Sequence, residues 1–163
     1  VSCKAPEHGL ALVGRGIDFL QVNFNLMDQR AATCGLLDAA EGKVAIIART
    51  PLCFGFLSGA IPENPRFGEG DHRNNWPPAQ IARWIDGARE FGDRLAARNG
   101  LPLLDLALRY CLSFPAVTAV LPGMMRPEEV TANAKAVSAG SLVPSVISEI
   151  SGFYQSTEFF LPR

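Results

Sequence analysis

Residues 43–59 read KVAIIARTPLCFGFLSG, and the fold turns on how this stretch divides. Its first part, 43–48, is a short apolar run of β-formers entered from Glu41-Gly42. That pattern predicts a strand buried on both faces, and such strands belong to parallel sheets. Pro51 ends the run, and a loop follows in which apolar residues separate Gly55 from Gly59. Loops at the carboxyl ends of parallel strands are where α/β proteins place ligands. The candidate site begins there.

Working outward, the N-terminal side predicts a strand stub at Val1, then a helix over 6–13 with Pro6 in its first turn. Gly14 and Gly16 stop it. A strand over 17–23 (IDFLQVN) puts Phe19, Gln21 and Asn23 on one face and Leu20 and Val22 on the other. A helix over 30–40 carries Cys34, Leu36 and Leu37 as its apolar stripe. On the C-terminal side, 49–77 holds too many prolines and glycines for regular structure, and loops of that length usually have a function or are disordered. Helical periodicity returns at Pro78, where Ile81, Trp84, Ile85, Ala88, Phe91, Leu95 and Ala96 recur at three and four up to Asn99-Gly100. A second helix spans 103–112, with Leu104, Ala107, Leu108 and Cys111 inward. A third strand spans 117–121 (VTAVL). Pro127 opens a helix to 137 with Glu128 and Glu129 in its first turn, where the helix dipole favours them. A last helix over 146–153 leads into the apolar tail Phe159, Phe160, Leu161.

Strands alternating with helices predict βαβ units and a parallel sheet. Three strands and a stub are too few to close a barrel, and an open sheet would leave edges as apolar as IDFLQV unpaired. Further strands are therefore expected from elsewhere, and a start at Val1 without an initiator methionine points to a piece of something longer.

The chain has 163 residues, one domain's worth, enough to bury about two thirds of its unfolded surface. Its net charge of −1 gives no electrostatic case for nucleic acid or a membrane surface. Charged residues are scarce (19%) and apolar ones plentiful (48%), so extra apolar surface must be covered by the core or a partner. Cys3, Cys34, Cys53 and Cys111 form no CxxC pair, which points to free thiols in a reducing compartment. His8 and His72 stand too far apart in sequence for a zinc pattern, and no metal site is expected. No apolar run reaches the roughly 20 residues of a membrane span, and the expected location is the cytoplasm.

Taken together, LQVNFNLMD, VAIIARTPLCFGFLSG, DHR and LALRYCLSFPAVTAVLPGMMRPEEVTANAKAV, in that order and spacing, resemble the second half of an aldo-keto reductase. The resemblance runs from residue 1 to about 137. It implies the fifth to eighth strands of a (β/α)8 barrel of the TIM type, incomplete on its own, with 146–163 as a C-terminal extension. It also implies an NADP(H)-dependent oxidoreductase that reduces a carbonyl compound to an alcohol.

Carried over by position, the resemblance assigns Ser2 and Gln21 to the nicotinamide carboxamide. Cys3 stands where the family usually has Asn and is a weak hydrogen-bond partner. Arg49 falls beside the nicotinamide ring. Thr50, Leu52, Gly55, Leu57 and Gly59 fall along the pyrophosphate, with glycine allowing close backbone approach. Gly123, Met124, Met125, Glu129 and Asn133 fall at the adenosine-phosphate end, where Arg126 is the nearest cation for a 2′-phosphate and Glu129 replaces a common Gln. The family's catalytic Asp, Tyr, Lys and His belong to the first four strands, ahead of Val1, so no catalytic residue is assigned here. Tyr110 and Tyr154 lack the family's surroundings.

The residues alone admit plainer readings. Gln21 also reads as a core amide satisfying backbone groups, Arg49 as a surface ion pair, and Gly55 and Gly59 as turn residues. Glu129 and Asn133 also read as a solvated helix face, Met124 and Met125 as packing. Asp71 and His72 read as a surface pair, and Cys53 as a small loop hydrophobe. Two functions from different classes follow. One is the cofactor-binding half of a reductase, completed by the N-terminal half of the barrel from the same polypeptide or another chain. The other is a non-catalytic half-barrel, a nucleotide-binding or scaffold subunit such as a channel β-subunit. Oligomerisation is compatible with both.

Overall fold

The computed structural model describes residues 1–162. One sheet holds four parallel strands in chain order: β1 (Ser2–Cys3), β2 (Phe19–Asn23), β3 (Ala45–Arg49) and β4 (Val117–Leu121). Between β1 and β2 runs α1 (Pro6–Leu10), and between β2 and β3 run α2 (Arg30–Thr33) and α3 (Leu36–Ala40). The long passage from β3 to β4 carries α4 (Pro78–Glu90) and α5 (Leu103–Leu112), and α6 (Pro127–Ser138) and α7 (Pro144–Gln155) follow β4.

The expected alternation of strand and helix is present; several local expectations are corrected. The helix expected over 30–40 is two short helices, because Gly35 takes a left-handed φ of 79° between them. The helix expected over 6–13 ends at Leu10 and continues only as turns. The last helix starts at Pro144 rather than 146, proline supplying the fixed φ of a first turn. Within 49–77, Cys53–Ser58 and His72–Asn75 form 3₁₀ segments. The amphipathic stretch from Pro78 is continuous, but α4 passes into a π-helical turn, Phe91–Ala96, before Gly100 ends it at φ 63°. Arg163 of the expected C-terminal extension lies outside the described residues.

Within the described residues β3 is sealed on one face only. Leu20, Val22, Ile46 and Ala48 are sealed against the helices. The alternate residues Gln21, Asn23, Ala45, Ile47 and Arg49 are only half-buried, since no described element lies opposite them. Phe19 is 55% exposed on that face. Behind the sheet, Leu36, Leu106, Leu108 and Tyr110 complete the core, and Phe24 meets Tyr110 and Phe114 at ring separations of 5.5 and 5.1 Å.

Candidate active-site rim

Parallel register brings the candidate residues to one edge of the sheet. Ser2 pairs with Gln21, Gln21 with Ile47 and Ile47 with Ala119, forming one row across all four strands. One row nearer the carboxyl ends, Asn23 pairs with Arg49 and Arg49 with Leu121. A register shift at Ile46/Ile47 leaves Thr118 as the extra residue of β4, and its hydroxyl donates to the Ile46 carbonyl at 3.3 Å. Ser2 and Gln21 thus lie one row inside the sheet on the same face as Arg49, which ends β3, and Thr50 follows directly beyond the strand. Gly123, Met125, Glu129 and Asn133 follow β4, two strands away from Gln21.

The turn after β3 is held in an unfavourable backbone conformation. Thr50, Cys53 and Phe54 have φ of 53°, 45° and 57°, and Gly55 has 94°. Side-chain-bearing residues pay roughly 1–2 kcal/mol each for that region, and such strain persists only where surroundings impose it. At Thr50 the buried Asn25 holds it: Nδ2 donates to the Thr50 carbonyl at 2.9 Å, and Oδ1 accepts from the Met27 and Asp28 amides at 2.9 and 3.0 Å. Further on, the Cys53 and Gly55 amides close the turn onto the Thr50 and Leu52 carbonyls at 2.9 Å each. The Thr50 hydroxyl lies 3.1 Å from Asn23 Oδ1 and 2.7 Å from the Arg49 carbonyl. Leu52 and Leu57 are buried in the core, Leu57 completely. Gly55→Ala is expected to destabilise the protein by about 1–2 kcal/mol, because alanine is strained at that φ. A urea midpoint unchanged from wild type would contradict this.

The other candidates divide by what already occupies them. Arg49 Nε is shut from water without a hydrogen-bond partner, and among the described residues no carboxylate lies within 4.0 Å of the guanidinium. Asn133 is buried, with Nδ2 also unpartnered. Glu129 is engaged: its carboxylate accepts from the Met125 and Arg126 amides at 2.6 and 3.3 Å, capping α6. The Met125 side chain is 91% exposed. Gly59 ends a 3₁₀ segment at φ 77° and Gly123 has open space around it.

Asp71 and His72 form the expected surface pair. The Arg73 guanidinium bonds the Asp71 carboxyl at 2.6 Å and holds it down at about 2, and His72 lies exposed. Cys53 is buried, and desolvation pushes its thiol far up. Burial likewise pushes up the phenol of Tyr110, which is sealed in the core, and that of Tyr154. Among the described residues no cluster of three or more His, Cys, Asp or Glu is placed to hold a metal, and no helix is long and apolar enough to cross a membrane.

Beside the rim lies a cavity of about 320 Å³ lined by Asn23, Thr50, Arg30, Phe54, Trp76 and Leu161, among others. Pattern reading passed over most of these. Arg30 is oriented by the buried Asp28, which accepts from its Nε and Nη2 at 2.7 Å each. The signal was the polar NLMDQR run directly after a strand end, where a chain in need of a plain turn has no use for a buried acid.

Compared with solved structures, the chain superposes on a glycerol dehydrogenase from Gluconobacter oxydans with a TM-score of 0.72 at 23% identity, covering 89% of this chain and 44% of that one. An aldo-keto reductase from Bacillus halodurans in its apo form gives 0.63 at 22%, covering 93% and 48%. These likenesses show the fold, a parallel α/β arrangement forming part of a (β/α)8 barrel. In sequence, an L-glyceraldehyde 3-phosphate reductase of Escherichia coli O157:H7 is 30% identical over 124 residues, 72% of this chain. A protein of Arabidopsis thaliana described as a probable voltage-gated potassium channel subunit beta is 30% identical over 122 residues, 69% of this chain. The chain spans 36% of the length of each of these two relatives. The family model for the aldo/keto reductases matches residues 12–155, most of the chain including the whole β2–β4 rim, and the protein belongs to that family.

Proposed function

We propose that this chain is the cofactor-holding, C-terminal half of an NADP(H)-dependent oxidoreductase that interconverts a carbonyl compound and its alcohol. Family membership supports oxidoreductase chemistry. The observation that carries the reading is the rim, where Gln21, Arg49 and Thr50 meet on the open face and Arg49 Nε lies buried without a partner. A buried donor without a partner is costly unless a ligand satisfies it.

In this reading Ser2 and Gln21 hold the nicotinamide carboxamide and Arg49 flanks the ring. The Thr50 hydroxyl and the backbone of Leu52, Gly55, Leu57 and Gly59 run along the pyrophosphate. Gly123, Met125 and Asn133 meet the adenosine end. There Glu129 acts through the helix cap it already makes, and the free amide of Asn133 is the group best suited to a ligand. The cofactor supplies hydride; this chain's residues bind, orient and exclude water. The proton donor falls to the remainder of the barrel, from the same polypeptide or another chain, because Tyr110 is sealed in the core. That remainder covers the open face, where Phe19 is 55% and Leu121 48% exposed. The chain by itself is accordingly inactive.

Titrating NADPH into the purified chain and following nicotinamide fluorescence tests the reading. Saturable binding is expected, weakened about tenfold by Arg49→Ala, and a parallel titration with NADH decides the preference between them. Absence of binding to either nucleotide would overturn it. A second reading, a non-catalytic nucleotide-binding or scaffold subunit, is favoured by the match to the Arabidopsis protein named as a channel subunit. A completed barrel that binds NADPH but oxidises none in the presence of aldehydes would decide for it.

A further inference from the structure

One buried side chain takes both ends of a hydrogen-bonding edge of the tail. Gln80, in the first turn of α4, places both ends of its amide on the tail: Nε2 donates to the Phe159 carbonyl and Oε1 accepts from the Leu161 amide, each at 2.8 Å. A carbonyl and an N–H two residues apart lie on the same edge of an extended segment, and a neighbouring strand would pair with them in this way. Gln80 stands in for that strand. Arg83, one turn on, donates to the Phe160 carbonyl at 3.3 Å.

The tail rings divide around α4. Phe159 lies against Gly87, where a Cβ would come within 2.9 Å of two ring atoms; it also stacks on Phe91 and Tyr154. Phe160 stands edge-on to Trp84 at 5.7 Å. With Leu161 it walls the cavity that opens on Asn23 and Thr50. Nothing in the helical hydrogen bonding of α4 requires a buried glutamine at this position, and neither amide bond is local: the partners lie 79 and 81 residues away.

We propose that Gln80 is a positioning residue that latches residues 159–161 as the removable outer wall of the cavity, so that access to the β2–β3 rim is set by this one amide. The inference rests on the tail geometry and not on the oxidoreductase reading. Nucleotide titration tests that reading, whereas the latch is tested without any nucleotide.

Two measurements on the full chain read the latch: hydrogen exchange of the peptide spanning 156–162, and acrylamide quenching of tryptophan. Trp76 and Trp84 are the only two tryptophans; one lines the cavity and the other lies beneath Phe160. In Gln80→Ala, tail exchange is expected to rise about tenfold and quenching to increase, with exchange in β2 and β3 unchanged. Gln80→Glu gives the signature a merely structural role would not. Its protonated carboxyl offers the same donor and acceptor as the amide, whereas the ionised form turns an oxygen on the Phe159 carbonyl. The tail should therefore be held below about pH 4 and released above about pH 7. Glu158, which pairs with Arg83 at 3.6 Å across the same contact, is common to wild type and variant, so the signature is read as the variant's pH dependence beyond that of wild type. Gly87→Ala crowds Phe159 without touching Gln80 and should raise quenching with no pH dependence beyond that of wild type. Wild-type tail exchange in Gln80→Ala, a Gln80→Glu with only the pH dependence of wild type, or loosening of tail and sheet together would each overturn the proposal.

Discussion

Trp84→Ala is expected to lower the unfolding free energy by about 3–5 kcal/mol, more than any other single substitution in α4. The indole is wholly buried and joins three segments that have no other common partner of its size. Its ring lies 5.3 Å from Phe54 and 5.3 Å from Phe56 in the loop after β3, 4.9 Å from Trp76 and 5.7 Å from Phe160 in the tail. Removing it leaves a cavity that α4 cannot close without parting from the rim. Against the 5–15 kcal/mol typical of a whole domain, a loss of about that size approaches global unfolding. Trp84→Phe should cost less, about 1–2 kcal/mol, because it also removes an indole N–H that is buried without a partner. Urea unfolding followed by circular dichroism measures both. A loss below about 1 kcal/mol for Trp84→Ala would show that the loop, α4 and the tail do not share one core.

The second large effect falls on Asn25, and it couples stability to the site. Its side chain makes three hydrogen bonds, a part-buried one to the Thr50 carbonyl and two buried ones from the Met27 and Asp28 amides. Asn25→Ala leaves the Met27 amide without its acceptor, at about 1–3 kcal/mol for an unsatisfied group, while the Asp28 amide keeps the backbone carbonyl of residue 25 at 3.1 Å. A loss of about 1–3 kcal/mol is therefore expected. The loss does not stop at stability. Thr50 keeps its φ of 53° against an intrinsic preference for the extended region, and without the Asn25 clamp it should relax. In the proposed reading as the cofactor-holding half, NADPH affinity should then fall about tenfold even where the variant is fully folded. Asn25→Asp separates the two roles: it keeps the acceptor for Met27 and Asp28 but loses the donor to Thr50. A folded Asn25→Asp chain with wild-type nucleotide affinity would show that the clamp does not position Thr50.

How far the site is legible in the sequence differs from residue to residue. Strand periodicity assigns Gln21 to one face with Phe19 and Asn23, but the placing of Gln21 and Arg49 together beside a nicotinamide comes only from the family resemblance. The resemblance assigns Thr50 to the pyrophosphate loop, but its left-handed backbone has no sequence signal, because its carbonyl bonds an amide from 25 residues earlier. Glu129 was identified by position, whereas its use as a helix cap follows from local geometry that the spacing of Glu129 behind Met125 and Arg126 already hinted at. The aromatic wall of the cavity was out of reach. Trp76 and Phe160 meet around Trp84 only because the tail folds back on α4, and no periodicity links segments so far apart.

By itself the sequence determined the alternation of strands and helices and the parallel sheet, because each of these depends on local pattern and on the two-residue and 3.6-residue repeats of regular backbone. Only the tertiary structure decided that one face of β3 stays open, that Asn25 forces the turn at Thr50, and that Gln80 ties down the tail. Those features depend on which distant polar groups become buried together, and a buried donor must find its acceptor wherever the folded chain has put one.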